Sequence, residues 1–530
     1  MATNLRDSIL AALAKLPGTR EFHLHVLISA PRKHSELYQF ARPRPRTYLQ
    51  DILILLSEQK TPDSPRVLVT AVEACVYVLP ATSCALLYVS KVDSTGFAST
   101  PSPTSTLVRT LLIYYGSPTT RPVAVDHVWI QLFARAQAQY LFPNSSENPG
   151  KRPLGDAKLC AWWKRVLTDV AMKLNSLITP RPLIRLHYIL PGMNELESLN
   201  ILKSGSTSPN DTHVWNYNHP YSQTEIPCPC PAPGDAQGST NLGHFIPYFD
   251  DDPKSRFMDE IAYVTDKDGV KSPIRKRLRK LSHTQTDREK AEAERPLSPK
   301  GTQMPPLGEL GRVSPDEFWE RMSFRQECVA GAVTGFFTLI LSAPLPPSDH
   351  PTSSPYPLAP QPGQVSSQIN KRIMTSLTSG VEFSTEERAV RGTEAIEGAI
   401  KGLCEGLKAI PAVPISTIHA PRPFRASSPH DVGGGQTPDP SPYLALPRTP
   451  SPKLVNGKRA PDVSPNPFPE PVVSLETYRS HIYGSVCVSN PPLKESTEKG
   501  VGAIKENPTH NTDASAHVTL LTARRKKKRA

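Results

Sequence analysis

Apolar residues recur at three- and four-residue spacing over residues 1–16 (Leu5, Ile9, Leu10, Leu13 and Leu16), over 105–115, over 125–141 and most strongly over 156–176, so each stretch predicts a helix. Alternation over 22–29 predicts a strand that ends before an Arg/Pro-rich break at 42–46. The runs 66–79 and 84–92 are rich in Val, Leu and Tyr and are separated by Pro80-Ala81-Thr82-Ser83, which predicts an antiparallel pair. A strand over 183–190 closes this half. Further helices are predicted over 315–340, opened by Ser314-Pro315-Asp316-Glu317, and over about 385–408, opened by Ser384-Thr385-Glu386-Glu387. The apolar stretch 329–343 reads as a buried helix or strand and is too short to span a bilayer. Strands interspersed with helices predict a mixed α/β domain over 1–410, with a central β-sheet surrounded by helices.

The pattern fails in three places. Residues 194–240 are polar and punctuated by Ser, Pro, Asn and Gly, although Trp215, Tyr217 and Tyr221 should pack that loop locally. Residues 265–312 carry charge without periodicity and read as a disordered insertion. Residues 411–530 read as a disordered Pro/Ser-rich tail whose Thr437-Pro438, Thr449-Pro450, Ser451-Pro452 and Ser464-Pro465 pairs suit proline-directed phosphorylation or a plain linker. The 58 prolines among 530 residues agree with a chain of which only part packs.

Net charge is +12, and the excess sits in Arg275-Lys276-Arg277-Leu278-Arg279-Lys280 and Arg524-Arg525-Lys526-Lys527-Lys528-Arg529. Such runs act as nuclear-import or polyanion-contact signals, or only aid solubility; nuclear localisation and nucleic-acid contact by the basic tail are the expectations they raise. Of the eight cysteines only Cys228 and Cys230 are close, without a second pair or histidines at ligand spacing, so no metal site is expected. The N-terminal pattern, with Arg6 and Asp7 inside it, is not that of a secretory signal, and no membrane partner is expected.

The run Phe249-Asp250-Asp251-Asp252-Pro253-Lys254-Ser255-Arg256-Phe257 crowds three carboxylates against a lysine and an arginine between aromatic brackets. Like charges this close raise at least one carboxyl from its ordinary value of about 3.9, which would make it a usable proton acceptor; an acidic solvated turn is the alternative. Lys151-Arg152-Pro153-Leu154, before the helix over 156–176, offers cations and helix-start amides to a phosphate. Asp93 to Gly96 follows a strand and could present backbone amides to a pantetheine arm or a pyrophosphate. Trp162 and Trp163 lie about 100° apart on a helix, so one can be core while the other points into a channel. Together these features supply what acyl transfer to a lysine needs: a polyanion cradle, a means of holding the amine neutral, and a dry channel.

With these residues the chain resembles the fungal histone H-three lysine acetyltransferases named for regulation of Ty transposition, a nuclear family akin in fold to CBP-type acetyltransferases. The resemblance rests on residues 88–97 (Tyr88 to Phe97), 139–146 (Gln139 to Ser146), 154–163, 249–257, and Phe318-Trp319 with Phe324-Arg325-Gln326-Glu327, and it covers roughly 1–410. It implies acetyl-CoA as co-substrate, histone H-three with its partner histone as acceptor, and histone chaperones as activators in chromatin assembly and the DNA damage response. It further implies Asp252 as the essential acidic residue near the acceptor amine, with Asp251 supporting it. Trp163 matches the aromatic of the substrate tunnel, Asp93 a nearby active-site carboxylate, and Lys254 an autoacetylated lysine. Val92, Asp93, Ser94, Phe133, Gln137, Arg152, Pro153, Leu154 and Trp162 match cofactor contacts, and so do Pro101, Ser102, Pro103, Thr104 and Ser105, although the loop 98–106 holds no arginine where a basic residue is expected. Arg256 is expected to face the cofactor's phosphates. The rival from another class is a non-enzymatic chromatin or nucleic-acid binding protein, which has no use for the acidic run or for Trp163.

Overall fold

The structure, a computed structural model, describes residues 4–202, 215–231, 241–262, 264–266, 269–271, 308–325, 332–343, 358, 361–405 and 475–491. In chain order these form α1 (Leu5–Leu13), β1 (Gly18–Ile28), β2 (Arg32–His34), β3 (Thr47–Gln59), β4 (Val67–Leu79), β5 (Cys84–Ser94), α2 (Thr104–Gly116), β6 (His127–Ala134), α3 (Asp156–Leu177), β7 (Leu183–Ile189), α4 (Glu195–Leu202), β8 (Trp215–Tyr217), α5 (Pro253–Ile261), the small pair β9 (Val264–Asp266) and β10 (Gly269–Lys271), α6 (Pro315–Met322), β11 (Gly335–Ser342), α7 (Ser367–Ser379), α8 (Glu386–Glu405) and β12 (Tyr483–Asn490). The mixed α/β class is as expected.

The central sheet has ten strands in the order β12-β1-β3-β4-β5-β6-β11-β7-β8, with β2 beside β3. From β12 to β5 the neighbours are antiparallel, and α2 then crosses over so that β6 lies parallel to β5. Because β11 runs antiparallel to both β6 and β7, the C-terminal ends of β5, β6 and β7 point to one edge of the sheet. That edge is where open α/β sheets place ligands. Helices α1, α2 and α3 cover one face through Ile9, Leu111, Val166 and Val170, while α5, α6 and the loop before α5 cover the other around Trp129, Phe318 and Ile340. A third cluster seats α7 and α8 on β3 and β4.

Four elements differ from the sequence reading. Residues 125–141 form no helix: β6 occupies 127–134, because Val125, Val128, Trp129 and Leu132 mimic helical spacing in a strand buried on both faces. The helix expected over 315–340 stops at Met322, and β11 follows as a central strand. β3 has almost every residue buried, so it shows no alternation to reveal it. Finally, residues 475–490, inside the expected disordered tail, form a short helical segment followed by β12 (Tyr483–Asn490), which pairs with β1, and bury Tyr478, Ile482 and Val488. The remainder of that tail, most of the 265–312 insertion and both basic clusters lie outside the described residues. The loop over 215–231 does pack locally, through Tyr221, Ile226 and Cys230. Among the described residues no helix is long and apolar enough to cross a membrane.

If residues 475–490 belong to the folded unit, Ile482→Ala should destabilise it by about 2–5 kcal/mol, seen as a lower urea midpoint at unchanged slope. A wild-type midpoint would detach this segment from the domain.

Candidate active site

Asp93, one residue before the end of β5, is a hub. Its Oδ2 accepts hydrogen bonds from the backbone N–H groups of Tyr140 and Leu141 at 2.8 Å and Phe142 at 3.2 Å, and its Oδ1 lies 2.8 Å from Lys151 Nζ. Lys151 also donates to Ser145 Oγ at 2.7 Å. One buried carboxylate thus ties the end of β5 to the loops preceding α3. Gly96 lets the loops touch: its φ is +88°, and a Cβ there would meet Lys151 N at 2.5 Å.

The acidic run sits opposite. Asp252 is the N-cap of α5, accepting from Lys254 N at 2.8 Å, and Pro253 occupies the first turn where its missing N–H costs nothing. The carboxylate of Asp252 is 0% exposed and lies 2.8 Å from the buried Lys254 ammonium. Burial pushes the Asp252 carboxyl above the ordinary carboxylate range; the Lys254 cation opposes that rise and the neighbouring Asp251 adds to it. Lys254 Nζ is also 5.0 Å from the ring centroid of Phe336. Asp251 accepts from Tyr88 Oη at 2.9 Å and from Ser90 Oγ at 2.7 Å, and Tyr88 stacks on Phe249 at 3.8 Å.

Beside the Asp93 hub, at the C-terminal ends of β5 and β6, lies a cavity of about 470 Å³. Val92, Asp93, Ser94, Ser102, Thr104, Ser105, Phe133, Gln137, Arg152, Pro153, Leu154, Trp162 and Trp163 all line it, so most residues singled out from the sequence converge. Trp163 is the buried member of the tryptophan pair and meets Trp162 edge to face at 4.7 Å. Pro101, Pro103, Asp251, Asp252 and Lys254 are not part of the lining, and neither is Arg256, which sits exposed on α5. The link from cavity to acids is Ser90, which lines the cavity and donates to Asp251.

Sequence reasoning missed several of these partners. Ser90 is the extra residue where the β4–β5 register shifts, with Glu73 opposite Lys91 and Ala74 opposite Val89. The bulge breaks the alternation that would otherwise say which way its hydroxyl points. The loop 98–106 lacks its own arginine but rests on buried Arg20 of β1, which donates to the carbonyls of Ser99 and Pro101 at 2.9 Å and pairs with Glu58 at 3.6 Å.

The profile of the histone acetyltransferase KAT11-type domain matches residues 117–398, more than half of the chain. The chain belongs to the KAT11-type histone acetyltransferase family. It is 28% identical over 307 residues to a protein of Aspergillus flavus named histone acetyltransferase rtt109, a match covering 53% of this chain and 46% of the relative. With the histone acetyltransferase rtt109 of Schizosaccharomyces pombe it shares 26% identity over 269 residues, covering 48% and 52%. The chain therefore spans about half the length of the curated relatives it matches. The crystal structure of Rtt109 from Aspergillus fumigatus superposes with a TM-score of 0.54 at 24% identity, over 76% of this chain and 96% of that one, and so shares its fold. The matched region carries Trp162, Trp163 and the whole acidic run, whereas Asp93 and Ser90 on β5 precede it.

The buried pair makes a stability prediction. Lys254→Met alone should cost about 3–5 kcal/mol by leaving Asp252 uncompensated, and adding Asp252→Asn should recover part of that loss, as measured by a double-mutant cycle in urea. Strictly additive effects would show that the two charges do not sense each other.

Proposed function

We propose that the chain is an acetyl-CoA-dependent histone lysine acetyltransferase whose transfer site is the cavity bounded by β5, β6 and α3. The observation that carries this reading is Ser90, placed in the cavity wall and hydrogen-bonded to Asp251.

The cavity fits an acyl-CoA. Helices α2 and α3 both begin at its rim, where Ser102, Thr104 and Ser105 offer hydroxyls and helix-start amides and Arg152 a cation for phosphates. Phe133, Leu154 and Trp162 supply apolar walls for the arm. When bound, acetyl-CoA supplies an acyl group activated as a thioester, with the CoA thiol as leaving group. The protein must then hold the acceptor amine unprotonated. A lysine amine has an ordinary value near 10.4, so its neutral form at pH 7 costs about 4–5 kcal/mol. Asp251 reaches the cavity through Ser90 Oγ and accepts that proton. Asp252, capping α5 in a dry pocket, holds the acidic run in place and adds negative potential. Trp163 closes the channel against water, and Asp93 acts on the reaction by fixing the loops at the cavity mouth. Lys254 fits the autoacetylated lysine that the resemblance implies: neutralising it would remove the main influence holding the Asp252 carboxyl down, making Asp252 more basic. In this reading the acceptor is histone H-three with its partner histone, presented by a histone chaperone in the nucleus.

Label transfer from radioactive acetyl-CoA to histone H-three, bound with its partner histone and a chaperone, tests the assignment. Asp251→Asn, Asp252→Asn and Trp163→Ala should each lose at least tenfold in rate, in line with the roughly 10²–10⁴-fold worth of general base catalysis. Asp251→Asn should do so at wild-type stability, unlike Asp252→Asn. No label on histone or enzyme from folded wild type would leave a chromatin-binding protein without catalysis.

The pH profile has a defined sign. The acids must be ionised and the amine neutral, so kcat/KM should rise as pH increases from about 6.5 to 8.5. A flat or falling profile over that range would remove proton acceptance from the acidic run.

A further inference from the structure

The loop 139–151, which carries part of the cavity wall, is also held from outside the cavity. Helices α7 and α8 form a hairpin whose turn, residues 380–385, supplies none of the described cavity lining. The turn nevertheless packs on that loop. Phe383 and Phe142, both 0% exposed, meet edge to face at 4.8 Å, and Phe383 N donates to Pro143 O at 2.9 Å. Next to them Asn144 Nδ2 donates to Glu382 Oε1 at 2.7 Å, and Arg388 of α8 lies 2.9 Å from the same carboxylate.

The same four residues, 142–145, also bind the Asp93 hub. The amide of Phe142 donates to Asp93 Oδ2, while Ser145 Oγ donates to the Phe142 carbonyl at 2.7 Å and accepts from Lys151 Nζ at 2.7 Å. Gln137 and Tyr140 before this segment and Lys151, Arg152 and Pro153 after it line the cavity. Segment 142–145 is therefore clamped between hub and hairpin, and it anchors two stretches of the wall. A wall held in its ligand-ready shape before binding raises affinity, because less ordering remains for the ligand to impose. The groups placed near the acceptor amine are held separately: Asp251 accepts from Tyr88 and Ser90 of β5, and neither bond involves the loop.

We propose that Phe383 is a positioning residue for acetyl-CoA: through Phe142 it holds loop 139–151 in the shape that receives the cofactor, and so sets cofactor affinity without acting on the chemical step. The proposal rests on the reading of the cavity as the transfer site. Removing the ring leaves a void beside Phe142 into which the loop relaxes, drawing the Phe142 amide from Asp93 and loosening the wall on both sides of the segment. Glu382 assists from the turn by fixing Asn144. The hairpin, which touches β3 and β4 through its inner face, thereby acts on a cavity it does not line.

Calorimetric titration of the full chain with acetyl-CoA, beside steady-state acetylation of histone, tests the assignment. Phe383→Ala should raise the Kd and KM for acetyl-CoA at least fivefold with kcat within twofold of wild type, and Phe383→Leu, which restores most of the volume, should bring both constants back to within twofold. Ile400→Ala is the control for general destabilisation: Ile400 is buried in the same hairpin, about four helical turns from the 380–385 turn, and its loss should leave the Kd unchanged. Should Phe383→Ala not fold, Glu382→Ala tests the same clamp by raising the Kd at least twofold, whereas Glu382→Gln, which keeps the oxygen that Asn144 binds, should match wild type. An unchanged Kd in folded Phe383→Ala and in Glu382→Ala, an equal rise in Ile400→Ala, or a fall in kcat at constant KM would each overturn the proposal. A wild type with no affinity for acetyl-CoA would instead refute the reading of the cavity, and the positioning role with it.

Discussion

Burying the Asp252 carboxylate beside the Lys254 ammonium is the constraint around which the site is arranged. Taking two ions out of water costs several kcal/mol each, and their attraction repays this only when geometry is good and the remaining lone pairs are met. Here the repayment comes from the N-terminus of α5, from the amide of Lys254 and from the Phe336 ring. An acid kept in such a place is costly to ionise, and that cost is the origin of its raised proton affinity. The tension between burial and the lysine fixes where Asp251 stands, because the residue before the cap must leave the pocket and meet Tyr88 and Ser90.

Asp93 solves the opposite problem. Four backbone amides, those of Ser94, Tyr140, Leu141 and Phe142, and Lys151 surround it, so this carboxylate organises loops. Asp93 at the end of β5 and Asp252 at the start of α5 thus differ by environment: one is surrounded by backbone amides, the other is fully buried with Lys254 as its partner. The shared sheet edge then sets the geography. Parallel β5 and β6 open the cavity between them, and β7 is held in the same direction through β11.

How much of this could be read from sequence follows the same physics. The helices with one wet face, α1, α2, α3 and α8, announce themselves by period, and the Asp-Pro-Lys start of α5 lies inside the singled-out acidic run. β3 and β6 did not, because strands buried on both faces lose their alternation, and β6 even imitates a helix. β12 lay hidden in proline-rich chain and needs β1 as a template. Most cavity residues were legible through the resemblance, since they cluster in short motifs. Tyr88 and Ser90 fall within those motifs and Lys151 just before one, but their partners are not legible, for a bulge aims the serine and a glycine admits the lysine loop. Arg256 lies two residues past buried Lys254, about 200° round the helix, and so falls on the exposed face of α5, outside the cavity wall.

A structure of the protein with a bisubstrate compound, CoA joined through its acetyl group to a lysine nitrogen, would test the central claim most directly. The account predicts the CoA phosphates at the starts of α2 and α3, the arm against Phe133 and Trp162, and the linked nitrogen within hydrogen-bond reach of Ser90 Oγ or the Asp251 carboxylate. A compound bound elsewhere, or with its linked nitrogen turned away from β5 and toward solvent, would contradict it.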